Sequence, residues 1–215
     1  MGKTLLASGL VCALLSAAPA QATVIAPGTL SATPDILTLG AGASLVANTG
    51  LHGFISTPSG ALTGAYGEEV WSDPANTFGA GDLTWVIQIV NLSSTDHVLR
   101  ITASSFNGFL TDVGYKPQAE VAPGTVDRVT ANVIGFNLDV APSGFSDPLL
   151  IETNATKFKP GTLLFIDSET ATAAAFGPAT AVLEPSTWAM MGLGFAGLGM
   201  LLLNRGRRKE ADCAI

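Results

Sequence analysis

Two histidines, His52 and His97, are the only imidazoles in this 215-residue chain. His97 follows Asp96 in a polar stretch and reads as a solvated turn residue. His52 precedes Gly53 between apolar runs and reads as the filling of a strand end. The chain has no Gly-x-Ser-x-Gly turn for a serine nucleophile, no phosphate loop ending in Lys-Ser/Thr and no His-Glu-x-x-His zinc pair. A pair of catalytic carboxylates is assembled by folding rather than by spacing, so sequence alone does not address it. Glu68, Glu69 and Asp73 fall within six residues of one another, beside Trp71, in a stretch that reads as a solvated acidic loop. Oxygen-rich loops bind Ca²⁺, which makes these three the candidate metal ligands, although the Asp-x-Asp-x-Asp-Gly pattern is missing. Tyr66 and Trp71 are the candidate ligand-binding rings, since an exposed aromatic face stacks on sugars. Trp85 alternates with core-facing positions and is expected inside. Asn91-Leu92-Ser93 and Asn154-Ala155-Thr156 match glycosylation sequons by pattern alone. No cofactor is implied, and these residues point to a non-catalytic domain.

The elements that must position these residues are strands. In Leu83–Leu92, Leu83, Trp85, Ile87 and Ile89 share one face, and Thr84 and Gln88 lie opposite. Ile134, Phe136, Leu138 and Val140 alternate in the same way with Gly135, Asn137 and Asp139. Val98–Phe106, Thr125–Val133, Leu149–Thr153 and Thr162–Asp167 are further strands, with shorter ones expected near Leu45–Ala47 and Phe54–Ser56. Ser93–His97 looks like a hairpin loop between two of them. Gly, Pro, Ser and Thr punctuate the gaps, and no long helical period appears before Trp188. The fold class expected for residues 23–182 is therefore all-β, an antiparallel β-sandwich. Fourteen acids face five bases across that span, a net charge of −9, which excludes a nucleic-acid binder. The two cysteines, Cys12 and Cys213, lie outside the span, so no disulfide or thiolate site can form within it.

The ends of the chain carry its strongest signals. Lys3 opens a short positive region, Leu5–Ala18 is apolar, and Ala20 and Ala22 place small residues before a cleavage site at Thr23. Fourteen apolar residues make about 21 Å of helix, short of the ~30 Å a membrane core needs, so residues 1–22 read as a cleaved signal peptide. At the other end, Leu183, Glu184, Pro185, Ser186 and Thr187 lead into Trp188–Leu203, 16 residues without a charge. Arg205, Arg207, Arg208 and Lys209 follow at once. An apolar run with an aromatic at its outer end and a basic cluster at its inner end is a stop-transfer helix. Residues 210–215 then form a cytoplasmic tail.

The Glu184-Pro185-Ser186-Thr187-Trp188 start, the glycine-rich span and the Arg cluster resemble the PEP-CTERM sorting domain. Leu183 stands where that family's motif has its first Pro. The resemblance covers residues 183–209 and implies export in a Gram-negative cell that makes extracellular polysaccharide. It also implies the Sec translocon, the inner membrane and an exosortase as transient partners. Release to the cell surface or the extracellular matrix would follow, with extracellular polysaccharide as a candidate partner of the mature protein. Such a protein would be structural or adhesive. The alternatives are a secreted glycan-active hydrolase, or a permanent single-pass membrane protein with a Ca²⁺-stabilised binding domain.

Overall fold

The computed structural model of the protein describes residues 24–180 and Met191. The expected signal peptide, sorting motif, basic cluster and cytoplasmic tail lie outside the described residues. Residues 24–180 contain no helix, and among the described residues none is long and apolar enough to cross a membrane.

Twelve strands form two six-stranded sheets. They are β1 (Thr29–Ala32), β2 (Asp35–Ile36), β3 (Ser44–Ile55), β4 (Thr63–Ser72), β5 (Leu83–Asn91) and β6 (Val98–Ser104), then β7 (Thr111–Tyr115), β8 (Thr125–Thr130), β9 (Val133–Val140), β10 (Leu149–Thr153), β11 (Lys157–Ile166) and β12 (Thr170–Ala179). The first sheet runs β2-β7-β10-β5-β4-β3 and the second β1-β8-β9-β6-β11-β12. Every pairing is antiparallel except β2 with β7. The all-β expectation therefore holds, in a two-sheet, sandwich-like arrangement.

Alternation puts one face of each sheet into a shared core. Leu83, Trp85, Ile87 and Ile89 of β5 and Ile134, Phe136, Leu138 and Val140 of β9 are all buried there. Phe54 of β3 stacks on Phe165 of β11 across the two sheets, with ring centroids 3.9 Å apart. Trp85 meets Phe106 edge to face at 5.8 Å.

Two expectations need correction. Ser93–His97 is not a hairpin loop, because β5 and β6 belong to different sheets and do not pair. It is an arch between sheets, held by Asn91, whose Nδ2 donates to Asp96 O at 2.7 Å and to Val140 O at 2.8 Å. The strand expected over Thr125–Val133 ends at Thr130, and Val133 opens β9 after a two-residue turn. Arg128 of β8 is buried. It is 2% exposed on the core-facing side of β8, next to Val126 in alternation. Its guanidinium donates to the carbonyls of Ile25, Phe106, Phe109 and Ala131 and to Thr111 Oγ1, at 2.8–3.2 Å. These partners come from the N-terminal segment, the β6–β7 connection, β7 and the β8–β9 turn. A planar fork of donors suits such divergent acceptors, and an ammonium does not reach them together. Replacing Arg128 by Leu strands those acceptors away from water, and each buried unpaired group costs about 1–3 kcal/mol. We expect Arg128→Leu to lower unfolding stability by about 3 kcal/mol or more, read as a shift in the urea midpoint, with Arg128→Lys in between.

Candidate functional site

The outer face of the first sheet carries a hollow. Along β4, Tyr66, Glu68 and Val70 turn inward, so Gly67, Glu69 and Trp71 turn outward. The β4–β5 register sets Gly67 opposite Gln88 and Glu69 opposite Val86. Leu150 of β10 extends this floor, and Pro148, Lys116 and Gln118 border it. Leu39, on the segment after β2, makes a wall. The hollow has a volume of about 340 Å³. A second hollow of about 160 Å³ lies over Leu51, Ala65, Val90 and Phe145. Both hollows are lined by Gly67 and Gln88, so they lie side by side as a two-part trough, with the exposed Gln88 at the boundary.

Buried carboxylates fix the walls. Asp73 Oδ1 accepts from Gly40 N at 3.0 Å and from Ala75 N at 2.9 Å, tying the Leu39 segment to the end of β4. A Cβ on Gly40 would sit 2.6 Å from the Ala75 Cβ, so this close approach requires glycine. Asp147 Oδ1 accepts from Gln118 N at 2.8 Å and Glu120 N at 3.1 Å, which fixes the segment bearing Lys116 and Gln118. On the floor, Trp71 Nε1 donates to Glu69 Oε2 at 2.9 Å, which orients the half-buried indole. Gln88 Nε2 donates to Ser146 O at 3.2 Å.

The structure separates the residues that sequence had grouped. Glu68, Glu69 and Asp73 are not a solvated acidic loop: the first two are on β4 and Asp73 follows it. Glu68 faces inward, Glu69 faces outward into the trough, and Asp73 serves backbone N–H groups. They do not converge on one cation position, and among the described residues no group of three or more His, Cys, Asp or Glu is placed to hold a metal ion. Tyr66 is not a surface platform. It is 3% exposed, packs on Phe165 and donates its hydroxyl to Ala174 O at 2.5 Å. Trp71 does line the trough, and Trp85 is buried as expected. His52 is exposed on β3. His97 pairs with Asp139 at 2.5 Å, both exposed. Asn91 is buried and cannot accept a glycan, while Asn154 is exposed and accepts from Leu110 N. Ala20, Ala22, Thr23, Leu183–Trp188 and Arg205–Lys209 lie outside the described residues.

Glu68 and Asp112 are buried carboxyls. Glu68 Oε2 accepts from Phe176 N of the opposite sheet at 2.7 Å, and Oε1 makes no hydrogen bond among the described residues. Burial pushes its pKa up to about 8. Asp112 of β7 lies directly across from Glu152 of β10, with Asp35 on the adjoining β2. Burial, then the charges of Asp35 and Glu152, push the Asp112 pKa up to about 7. Positions 35, 112 and 152 are far apart in the chain, so no local signal announces their meeting.

No family model, curated protein or solved structure matches the chain.

Both raised carboxyls hold a proton more tightly in the folded than in the unfolded chain. Their contribution to stability is complete below the ordinary carboxylate range and is lost as pH rises through about 7 and about 8. The melting temperature should therefore fall between pH 5 and pH 9. Glu68→Gln keeps an acceptor for Phe176 N without a titrating proton. In a thermal melt series it should flatten the decline near pH 8 and exceed the parent's melting temperature at pH 9.

Proposed function

We propose that this chain is an exported protein of the cell surface or extracellular matrix whose β-domain works by binding rather than by catalysis. The observation that carries the binding reading is the trough on the outer face of the first sheet. Its walls are tied down by buried carboxylates, and a ring and polar side chains are already oriented on its floor. A hydrolytic reading calls for two carboxyls flanking one bond. Among the described residues Glu69 is the one carboxylate lining the trough, and it is engaged with Trp71 Nε1.

Delivery rests on the two ends of the sequence. The N-terminal segment directs the chain through the Sec translocon, and cleavage after Ala22 frees Thr23. The apolar segment Trp188–Leu203 and the Arg205–Lys209 cluster stop transfer in the inner membrane with the β-domain outside. An exosortase then acts at Leu183–Thr187 and releases the domain. As a helix this 16-residue run would be about 24 Å long, a short span, and Gly192, Gly194, Gly197 and Gly199 within it would let another helix approach closely. Such a segment suits a temporary anchor.

Intact-mass analysis of the membrane and extracellular fractions, in cells with and without exosortase, tests this route. The expected mature species begins at Thr23 and ends within Glu184–Thr187 only when exosortase is present. A C-terminal segment retained in both strains would make the chain a permanent single-pass protein.

A further inference from the structure

We infer that the trough on the outer face of the first sheet is a binding site for a neutral, extended glycan, with Trp71 as its principal stacking surface. This deepens the binding function proposed above and rests on it. Three features of the trough select that ligand class.

The first is the combination of one oriented ring with amide and charged side chains. A sugar ring presents a C–H face to an aromatic plane and hydroxyls around its edge. Trp71 supplies the plane, and its hydrogen bond to Glu69 removes rotational freedom before any ligand arrives. Gln88, Gln118, Lys116 and the remaining Glu69 oxygen supply donors and acceptors beside it. Hydroxyls both donate and accept, so they match this mixed set where a purely apolar or purely anionic ligand does not.

The second is shape. The two hollows adjoin at Gly67, which has no side chain, and at the exposed Gln88 opposite it. Phe145, 46% exposed, offers a second aromatic surface in the smaller hollow, away from Trp71. A chain of sugar rings can lie along this trough, with one ring on Trp71 and another near Phe145.

The third is charge. Glu69 and Lys116 balance within the larger hollow, while residues 23–182 carry a net charge of −9. A polyanion is repelled by that field and finds no basic cluster in the trough to compensate. An uncharged glycan meets neither penalty.

Two variants of the full chain, purified in mild detergent, separate this site from the fold. Trp71→Ala removes the stacking surface. Gly67→Val fills the junction of the hollows. An added Cβ there meets nothing nearer than Gly50 O at 3.7 Å, ordinary contact distance, so the strand accepts it. The probes are a β-glucan, a galactomannan and a xyloglucan as neutral polysaccharides, with alginate as the acidic one. The readout is retardation in native gels cast with each polymer, with circular dichroism to establish folding. We expect at least one neutral polymer to retard the parent chain and alginate not to. Trp71→Ala should weaken the retardation constant by about tenfold or more, as for a central aromatic anchor, and Gly67→Val should abolish it. The inference is overturned if no neutral polymer retards the folded parent, if alginate binds as well as they do, or if both folded variants bind like the parent. Both variants should reach the same cell fraction as the parent. Correct sorting without glycan binding therefore removes this inference alone, and glycan binding without sorting removes the export route alone.

Discussion

The register of β4 against β5 is the constraint on which the core and the trough both depend. Side chains alternate along a strand, so one assignment decides both faces. With Tyr66 opposite Ile89 and Val70 opposite Trp85, the inward positions fill the space between the sheets. The same assignment sends Gly67, Glu69 and Trp71 outward over Val86 and Gln88. A slip of one residue would move Trp71 and Glu69 into the core and expose Tyr66 and Val70. Glu68 is the cost of this arrangement, a carboxyl carried inward by its position between two required residues. Its raised pKa keeps it uncharged near neutrality, and the hydrogen bond from Phe176 N links β4 to β12 in the other sheet.

Without a cysteine between residues 24 and 180, the connections are held by buried polar side chains. Arg128 gathers four carbonyls and a hydroxyl where the N-terminal segment meets the β6–β7 connection. Asn91 closes the arch from β5 to β6, while Asp73 and Asp147 tie down the two walls of the trough. On the second sheet Arg100 of β6 pairs with Asp127 of β8, and Asn137 of β9 joins them. Gly135 lies beneath this group, and a Cβ there would fall 2.2 Å from Arg100 Nη2. Each of these residues satisfies groups that packing alone would leave unpaired. The loops that shape the trough are therefore anchored in the scaffold, which lowers the ordering needed on binding.

The legible part of the fold was the part where alternation is strong. Leu83–Asn91, Val133–Val140 and Leu149–Thr153 emerged close to their observed limits, and the burial of Trp85 followed from its place in the first of them. β4 was missed because Glu68 and Glu69 break the apolar alternation, so a strand with a buried acid read as a loop. β12 was missed because Thr-Ala-Thr-Ala-Ala-Ala has small side chains on both faces, and the following Gly and Pro read as punctuation. The two short strands expected at Leu45–Ala47 and Phe54–Ser56 are one bulged strand, β3, whose register against β4 shifts near Asn48–Leu51. The burial of Arg128 has no local signal, because its role depends on carbonyls from three segments and the Thr111 hydroxyl from a fourth. The trough was half visible: Trp71 stood out by type, whereas Gln88, Lys116, Gln118 and Phe145 gain meaning only when the strands are laid side by side.

The proposed ligand face is the outward side of β4 and β5. Side-chain NMR reads that face directly. On titrating the neutral glycan that retards the chain most strongly, the indole Nε1–H of Trp71 and the side-chain amides of Gln88 and Gln118 should shift. The indole of the buried Trp85 should stay in place. Shifts spread over the second sheet, or a Trp71 indole that does not respond at saturating glycan, would contradict the account.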